Sequence, residues 1–162
     1  MEKLIGGNEP SDVAAERQVI GAMLKSPDAL AIGLEKLEKD DFYSPANQAI
    51  FEGLSSLFVD NIPCDVTTIF DRLVSNKTIE TTGGRLHLMA LVEQSNTTRN
   101  ISYHSAIVKD KARRRNLSRL GIELRRDAQN EYKKVEETIA QVETRLLACA
   151  GIVGGEIGRA HV

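Results

Sequence analysis

The sequence predicts an all-α fold: a compact multi-helix globular body followed by a long antiparallel helical hairpin. Three observations carry this. Apolar residues recur at steps of three and four along most of the chain. Ser or Asp stands directly before one apolar run after another, twice with proline behind it. No convincing run of strand-like alternation occurs, and aromatic residues make up only 4% of the 162 residues.

The elements follow in order. Residues 1–10 read as a flexible tail. Ser11 and Asp12 precede "VAAERQVIGAMLK", in which Val13, Ile20, Met23 and Leu24 fall near one helical face. Ser26 caps and Pro27 opens "DALAIGLEKL", proline being harmless where the first N–H has no helical partner. Asp40 and Asp41 are expected to solvate a turn, with Phe42 and Tyr43 docking into the core. Ser44 and Pro45 repeat the capping device before "ANQAIFEGLSSLF", where Ile50, Leu54, Leu57 and Phe58 form an inward stripe. Asp65 caps "VTTIFDRLV", with Val66, Ile69, Phe70 and Leu73 inward. In "IETTGGRLHLMAL" the run from Leu86 is apolar nearly all round, so this helix is expected to be central and enclosed, capped by Thr81 or Thr82. These segments make a globular subdomain over 11–98.

A hairpin is expected over 99–150. A long helical pattern runs from about Asn100 to Asn130, and Gly121 in its interior weakens it by only about 1 kcal/mol. A last helix covers about 131–150. Its Val135, Ile139, Val142, Leu146 and Cys149 step by four, three, four and three, a heptad seam. Leu117, Leu120 and Leu124 answer from the long helix. Two helices cannot cover both of their own flanks, and Ile122 and Leu147 lie off the inner seam. Burying such a side chain fully is worth about 1.5–3 kcal/mol. Leu117, Leu120, Leu124, Val135, Ile139, Val142 and Leu146 are therefore the residues expected to pair with a second copy. Residues 151–162 are glycine-rich and read as the start of a linker.

Composition bounds the chemistry. A formal charge of −2 supplies no global attraction to nucleic acid. Cys64 and Cys149 lie far apart in apolar patterns and read as reduced, buried thiols. No stretch reaches the ~18–20 apolar residues that span a bilayer, and no secretory signal opens the chain; a cytoplasmic protein without membrane partners is expected. Gly83-Gly84 is followed by Arg-Leu-His, without the lysine and glycine spacing of a phosphate-binding loop, and reads as the tight start of a helix. His87, His104 and His161 have no second ligand at helical spacing, so they read as packed side chains and no metal site is expected. No catalytic constellation and no cofactor site is expected in this chain.

"KDKARRRNLSRLGIELRR" places eight of the 21 Lys and Arg in 18 residues. Such density can bind phosphates, and Arg113, Arg114, Arg115 and Arg119 are the residues to touch DNA if any do. No aromatics interleave to stack bases, and a solvated or ion-paired face is the more ordinary use of such a run.

The order of segments resembles the N-terminal domain of DnaB-type bacterial or phage replicative DNA helicases over about residues 10–150. The matching stretches are "AERQVIGAML", "DDFYSPANQAIFEGL", "PCDVTTIFDRL", "GGRLHLMAL" and "NISYHSAIVKDKARRR". The chain departs from the family at Asn47, where His is usual, and at His87 and His104, where Tyr is usual, with Tyr103 one place early. The resemblance implies an assembly domain. Its hairpins pair, pairs build the collar of a hexameric ring as a trimer of dimers, and the collar docks a DnaG-type primase and, in some systems, a helicase loader. ATP and magnesium then belong to a RecA-like domain expected beyond the glycine-rich stretch, and DNA is engaged through the full ring. The alternative is a free-standing DNA-binding or loader-like adaptor that uses the Arg-rich helix.

Overall fold

The computed structural model describes residues 9–151; the expected tail over 1–8 and linker over 152–162, with His161, lie outside them. Among the described residues there are seven α-helices and no strand: α1 (Val13–Lys25), α2 (Pro27–Lys36), α3 (Pro45–Val59), α4 (Val66–Ser75), α5 (Gly84–Gln94), α6 (Ile101–Ala128) and α7 (Val135–Cys149). Short 3-10 turns lie at Lys39–Asp41 and Thr98–Asn100. None of these helices is long and apolar enough to cross a membrane.

The chain forms two compact units. One is the body, Ser11–Ala112; residues 9–10 and 113–151 belong to the other. The division falls inside α6: Ile101 and Val108, near its start, are part of the body's core.

Local chemistry starts the body's helices where the sequence places them. Asp12 accepts from Ala15 N at 2.9 Å, Ser26 from Ala29 N at 3.3 Å and Ser44 from Asn47 N at 3.4 Å. Asp65 accepts from both Thr67 N and Thr68 N, while Thr68 Oγ1 accepts from Asp65 N. Each satisfies donors that the first turn of a helix leaves without partners.

The centre of the body is α1, which packs against α2, α3 and α5. Val19, Ile20 and Met23 are buried there with Phe42, Ile50, Leu54, Ile69, Leu73, Leu88 and Leu91 around them. α1 and α5 meet backbone to backbone. A Cβ on Gly21 would run into the Leu91 carbonyl and come within 2.7 Å of Ser95 Cβ, so only glycine fits.

Several expectations are corrected. α5 is not enclosed: Leu88 and Leu91 are buried, but Leu86 is 81% exposed and Met89 is open as well. No threonine caps it. Its N-cap is Gly83 at φ 79°, followed by Gly84 at φ 75°, the left-handed region that glycine enters freely; Thr82 is buried and donates to Ile79 O instead. Phe58 and Val13 face outward, and Tyr43 is exposed while Phe42 is buried as expected. Asp41 does not merely solvate a turn. It is buried, accepts from Glu38 N at 2.8 Å and pairs with Lys109 of α6 at 3.0 Å. Cys64 and Cys149 are free thiols, each half-buried.

One functional-looking group escaped the sequence reading. Glu16 of α1 is 1% exposed and carries a carboxylate into the core. It accepts from Tyr43 N, from Ser44 N at 3.3 Å and from the Asn47 amide at 2.8 Å. It thus serves the N-terminus of α3, where the helix dipole favours negative charge.

Candidate interaction surface of the helical hairpin

Within the second unit, α6 and α7 run antiparallel. Arg113 Nε donates to Cys149 O at 2.9 Å, at one end, and Glu123 pairs with Arg145 further along. At the turn Lys133 Nζ holds Asp127 at 2.6 Å and Gln141 at 2.7 Å, and Asn130 accepts from Tyr132 N at 3.0 Å. Lys133, with Arg126 beside it, holds the Asp127 carboxyl below its ordinary range against the opposing effect of desolvation.

These contacts define an inner face: Leu120, Glu123 and Asp127 on α6, Thr138, Arg145 and Cys149 on α7. Leu120 is 5% exposed and Thr138 is buried. Leu120, expected among the residues that pair with a second copy, is therefore covered within its own chain.

The remaining six expected residues do not close the hairpin. Val135 is 67% exposed, Ile139 53%, and Leu117, Leu124 and Leu146 are similarly open; Val142 is half-buried. At 3.6 residues per turn, Leu117, Gly121, Leu124 and Ala128 share one side of α6, and Val135, Ile139, Val142 and Leu146 share one side of α7. Each set is rotated from its helix's inner face by roughly a quarter turn, in the same sense about its own axis. Because the helices are antiparallel, those equal rotations bring both sets to one side of the hairpin. The outcome is a continuous apolar face, and Tyr132 in the turn is fully exposed.

The opposite side of α6 is occupied. Arg115, itself buried, donates to Pro10 O at 2.8 Å, and Arg119 binds the Glu9 carboxylate through Nε at 3.4 Å and Nη2 at 3.1 Å. Residues 9 and 10 are thus tied down, contrary to the expectation of a flexible tail as far as residue 10. Of the four arginines set aside for DNA, Arg113, Arg115 and Arg119 bond within their own unit, and Arg114 too has a partner in the chain. Sequence reasoning could not see this, because the partners lie as far as 110 positions away.

Among the described residues no group of His, Cys, Asp and Glu is arranged to hold a metal. His87 is half-buried, with desolvation and then the Arg17 charge lowering its pKa, and His104 stacks edge-on against Tyr103.

Comparison with known proteins places this geometry. The model of the family described as "DnaB-like helicase N terminal domain" matches residues 8–110. The chain is 36% identical to the replicative DNA helicase DnaB of Mycobacterium leprae over 116 residues, 72% of this chain and 19% of that protein. It is 29% identical to the replicative DNA helicase DnaC of Bacillus subtilis over 141 residues, 87% of this chain and 31% of that protein. The crystal structure of the N-terminal domain of DnaB helicase from Mycobacterium tuberculosis superposes with a TM-score of 0.80 at 30% identity, covering 87% of this chain and 99% of that one. The chain spans less than a third of the length of the curated relatives named here.

Proposed function

Because this chain belongs to the family of DnaB-like helicase N-terminal domains, we propose that it serves as the assembly and partner-docking domain of a hexameric replicative DNA helicase. The observation that carries this is the open apolar side of the hairpin. Leu117, Leu124, Val135, Ile139 and Leu146 are left between 38% and 67% exposed in the single chain, and covering each one fully recovers roughly 1 kcal/mol. A second copy supplies an identical face, the self-complementary arrangement of a two-fold dimer.

In this reading hairpins pair, and three pairs build the collar of a hexamer through which DNA is engaged. The collar docks a DnaG-type primase and, where one exists, a helicase loader. Unwinding draws on ATP and magnesium bound by a RecA-like domain, a part of the relatives' length this chain does not span, and the chain itself contributes no catalytic group. The work is done in the cytoplasm.

The adaptor alternative rests on Arg113, Arg114, Arg115 and Arg119 as a DNA-binding face. It finds less support, since those side chains are engaged inside the chain.

The test is the solution mass of Ile139→Asp, a charge placed in the middle of the apolar face. Light scattering is expected to give a dimer or larger assembly for the parent and a monomer for the variant. Equal masses would refute hairpin pairing. Titrating the parent with a primase C-terminal domain tests the docking role, and no change in mass at high concentration would remove it.

A further inference from the structure

The turn that joins α6 to α7 holds an aromatic side chain in the open. Tyr132 is 100% exposed, and nothing among the described residues covers its ring. The ring is not carried on a loose loop. The Asn130 side chain accepts from Tyr132 N at 3.0 Å, and the Asn130 carbonyl accepts from Lys133 N at 3.1 Å. Lys133 Nζ reaches back to Asp127 at 2.6 Å and forward to Gln141 at 2.7 Å. The backbone around the tyrosine is thus fixed from both helices, so little freedom remains to be lost when a ligand lands on the ring.

A single exposed tyrosine is ordinary; its surroundings give this one a use. From Gln129 to Lys134 every other residue is polar, so the turn offers no apolar neighbour with which the ring could build the dry anchor of a protein interface. What the turn offers instead is charge. Between 126 and 134 three cations, Arg126, Lys133 and Lys134, stand against two acids, Asp127 and Glu131, in a chain whose formal charge is −2. Lys133 and Arg126 both bind Asp127 and cancel its repulsion of an anion. Lys134 is exposed and forms no ion pair among the described residues. Acids resume only at Glu136 and Glu137, in the first turn of α7, where the helix dipole favours them.

An open aromatic face with cations beside it is how proteins hold an unpaired nucleic-acid strand: a base stacks, the phosphates meet the cations, and no base edge is read. The Arg-rich run over 109–126 lacks that aromatic, and the turn supplies it six residues further on. We infer that the tip of the hairpin is a contact point for single-stranded nucleic acid, with one base stacked on Tyr132 and the flanking phosphates met by Lys134 and Arg126. The site goes beyond the assembly role and does not depend on hairpin pairing, because all three side chains belong to one chain.

The test is the fluorescence anisotropy of a labelled oligothymidylate of about 12 nucleotides, within the span that such a site covers, titrated at low salt with the 162-residue chain. Binding is expected, and it should weaken as salt rises. Tyr132→Ala should raise the dissociation constant about tenfold, and Lys134→Glu about threefold or more. Both positions are exposed, so helicity by circular dichroism should match the parent's. A duplex of the same length should bind less tightly, since its bases are already stacked. The chain has no tryptophan, so Tyr132→Trp provides a lone reporter whose emission the oligonucleotide should quench and inorganic phosphate should not. No binding at low salt, an unaltered constant in Tyr132→Ala, a duplex held as tightly as the single strand, or an unquenched reporter would each overturn the site. Quenching by a primase C-terminal domain, with none by the oligonucleotide, would assign the tip to a protein partner and overturn it as well.

Discussion

Glu16 is the residue on which the body's interior depends most visibly. Its buried carboxylate answers two part-buried backbone N–H groups and one buried side-chain amide at the start of α3. Glu16→Ala would strand those donors and is expected to cost about 2–3 kcal/mol in urea denaturation; a loss below about 0.5 kcal/mol would show the carboxylate to be incidental. His87 gives a pH signature. Burial and Arg17 hold its folded pKa below the ordinary 6.5, so the unfolded chain binds the proton more readily. Its contribution is therefore intact above pH 6.5 and diminishes as pH falls through 6.5 toward the folded value. A His87→Gln chain should lose less stability than the parent between pH 7 and pH 5, and identical pH profiles would contradict this. Residues were legible in the sequence where their partners are local. Asp12, Ser26, Ser44 and Asp65 each cap within three positions, a spacing visible in the sequence alone. Glu16 was invisible because its partners lie 27 to 31 positions on.

At the scale of elements, the seven helices start and stop close to where capping residues and apolar spacing put them. Exposure was harder to read. The run Leu86–Val92 looks the same whether a helix is surrounded or laid along a surface, and here its Leu86 side is open. The hairpin shows the same limit: heptad spacing located both helices but did not separate the seam that closes the hairpin, with Leu120 and Thr138, from the apolar side a quarter turn away. The turn offers a direct probe. Asp127 is held in its charged form chiefly by Lys133, so its clasp is present at neutral pH and is lost only as pH falls below the usual carboxyl range. Asp127→Asn should speed amide hydrogen exchange over residues 128–134 at pH 7 while leaving α1 unchanged. Unaltered exchange at the turn would mean that Asn130 and its neighbours hold it without the ion pair.

For the whole molecule, assembly and folding should be linked. If the apolar side is covered only in the dimer, the midpoint of thermal unfolding must rise with protein concentration, because a partner that binds only the folded chain stabilises it by mass action. Ile139→Asp should abolish that dependence. A concentration-independent parent, scanned over a hundredfold range, would argue that the face stays bare in solution. The two units also divide the tasks. The body's helices surround α1 with a conventional core, whereas the hairpin keeps most of its aliphatic side chains on the outside.

The seam between α1 and α5 has a consequence for how this body can change over time. With a carbonyl standing where any side chain at position 21 would begin, drift cannot pass through alanine or serine there without prising two helices apart. In a library of random variants selected for folding, codons at 21 should remain glycine while Leu86 and Met89, a few ångströms of helix away, accept almost anything. The shape of the scaffold is thus inherited through an atom that is not there.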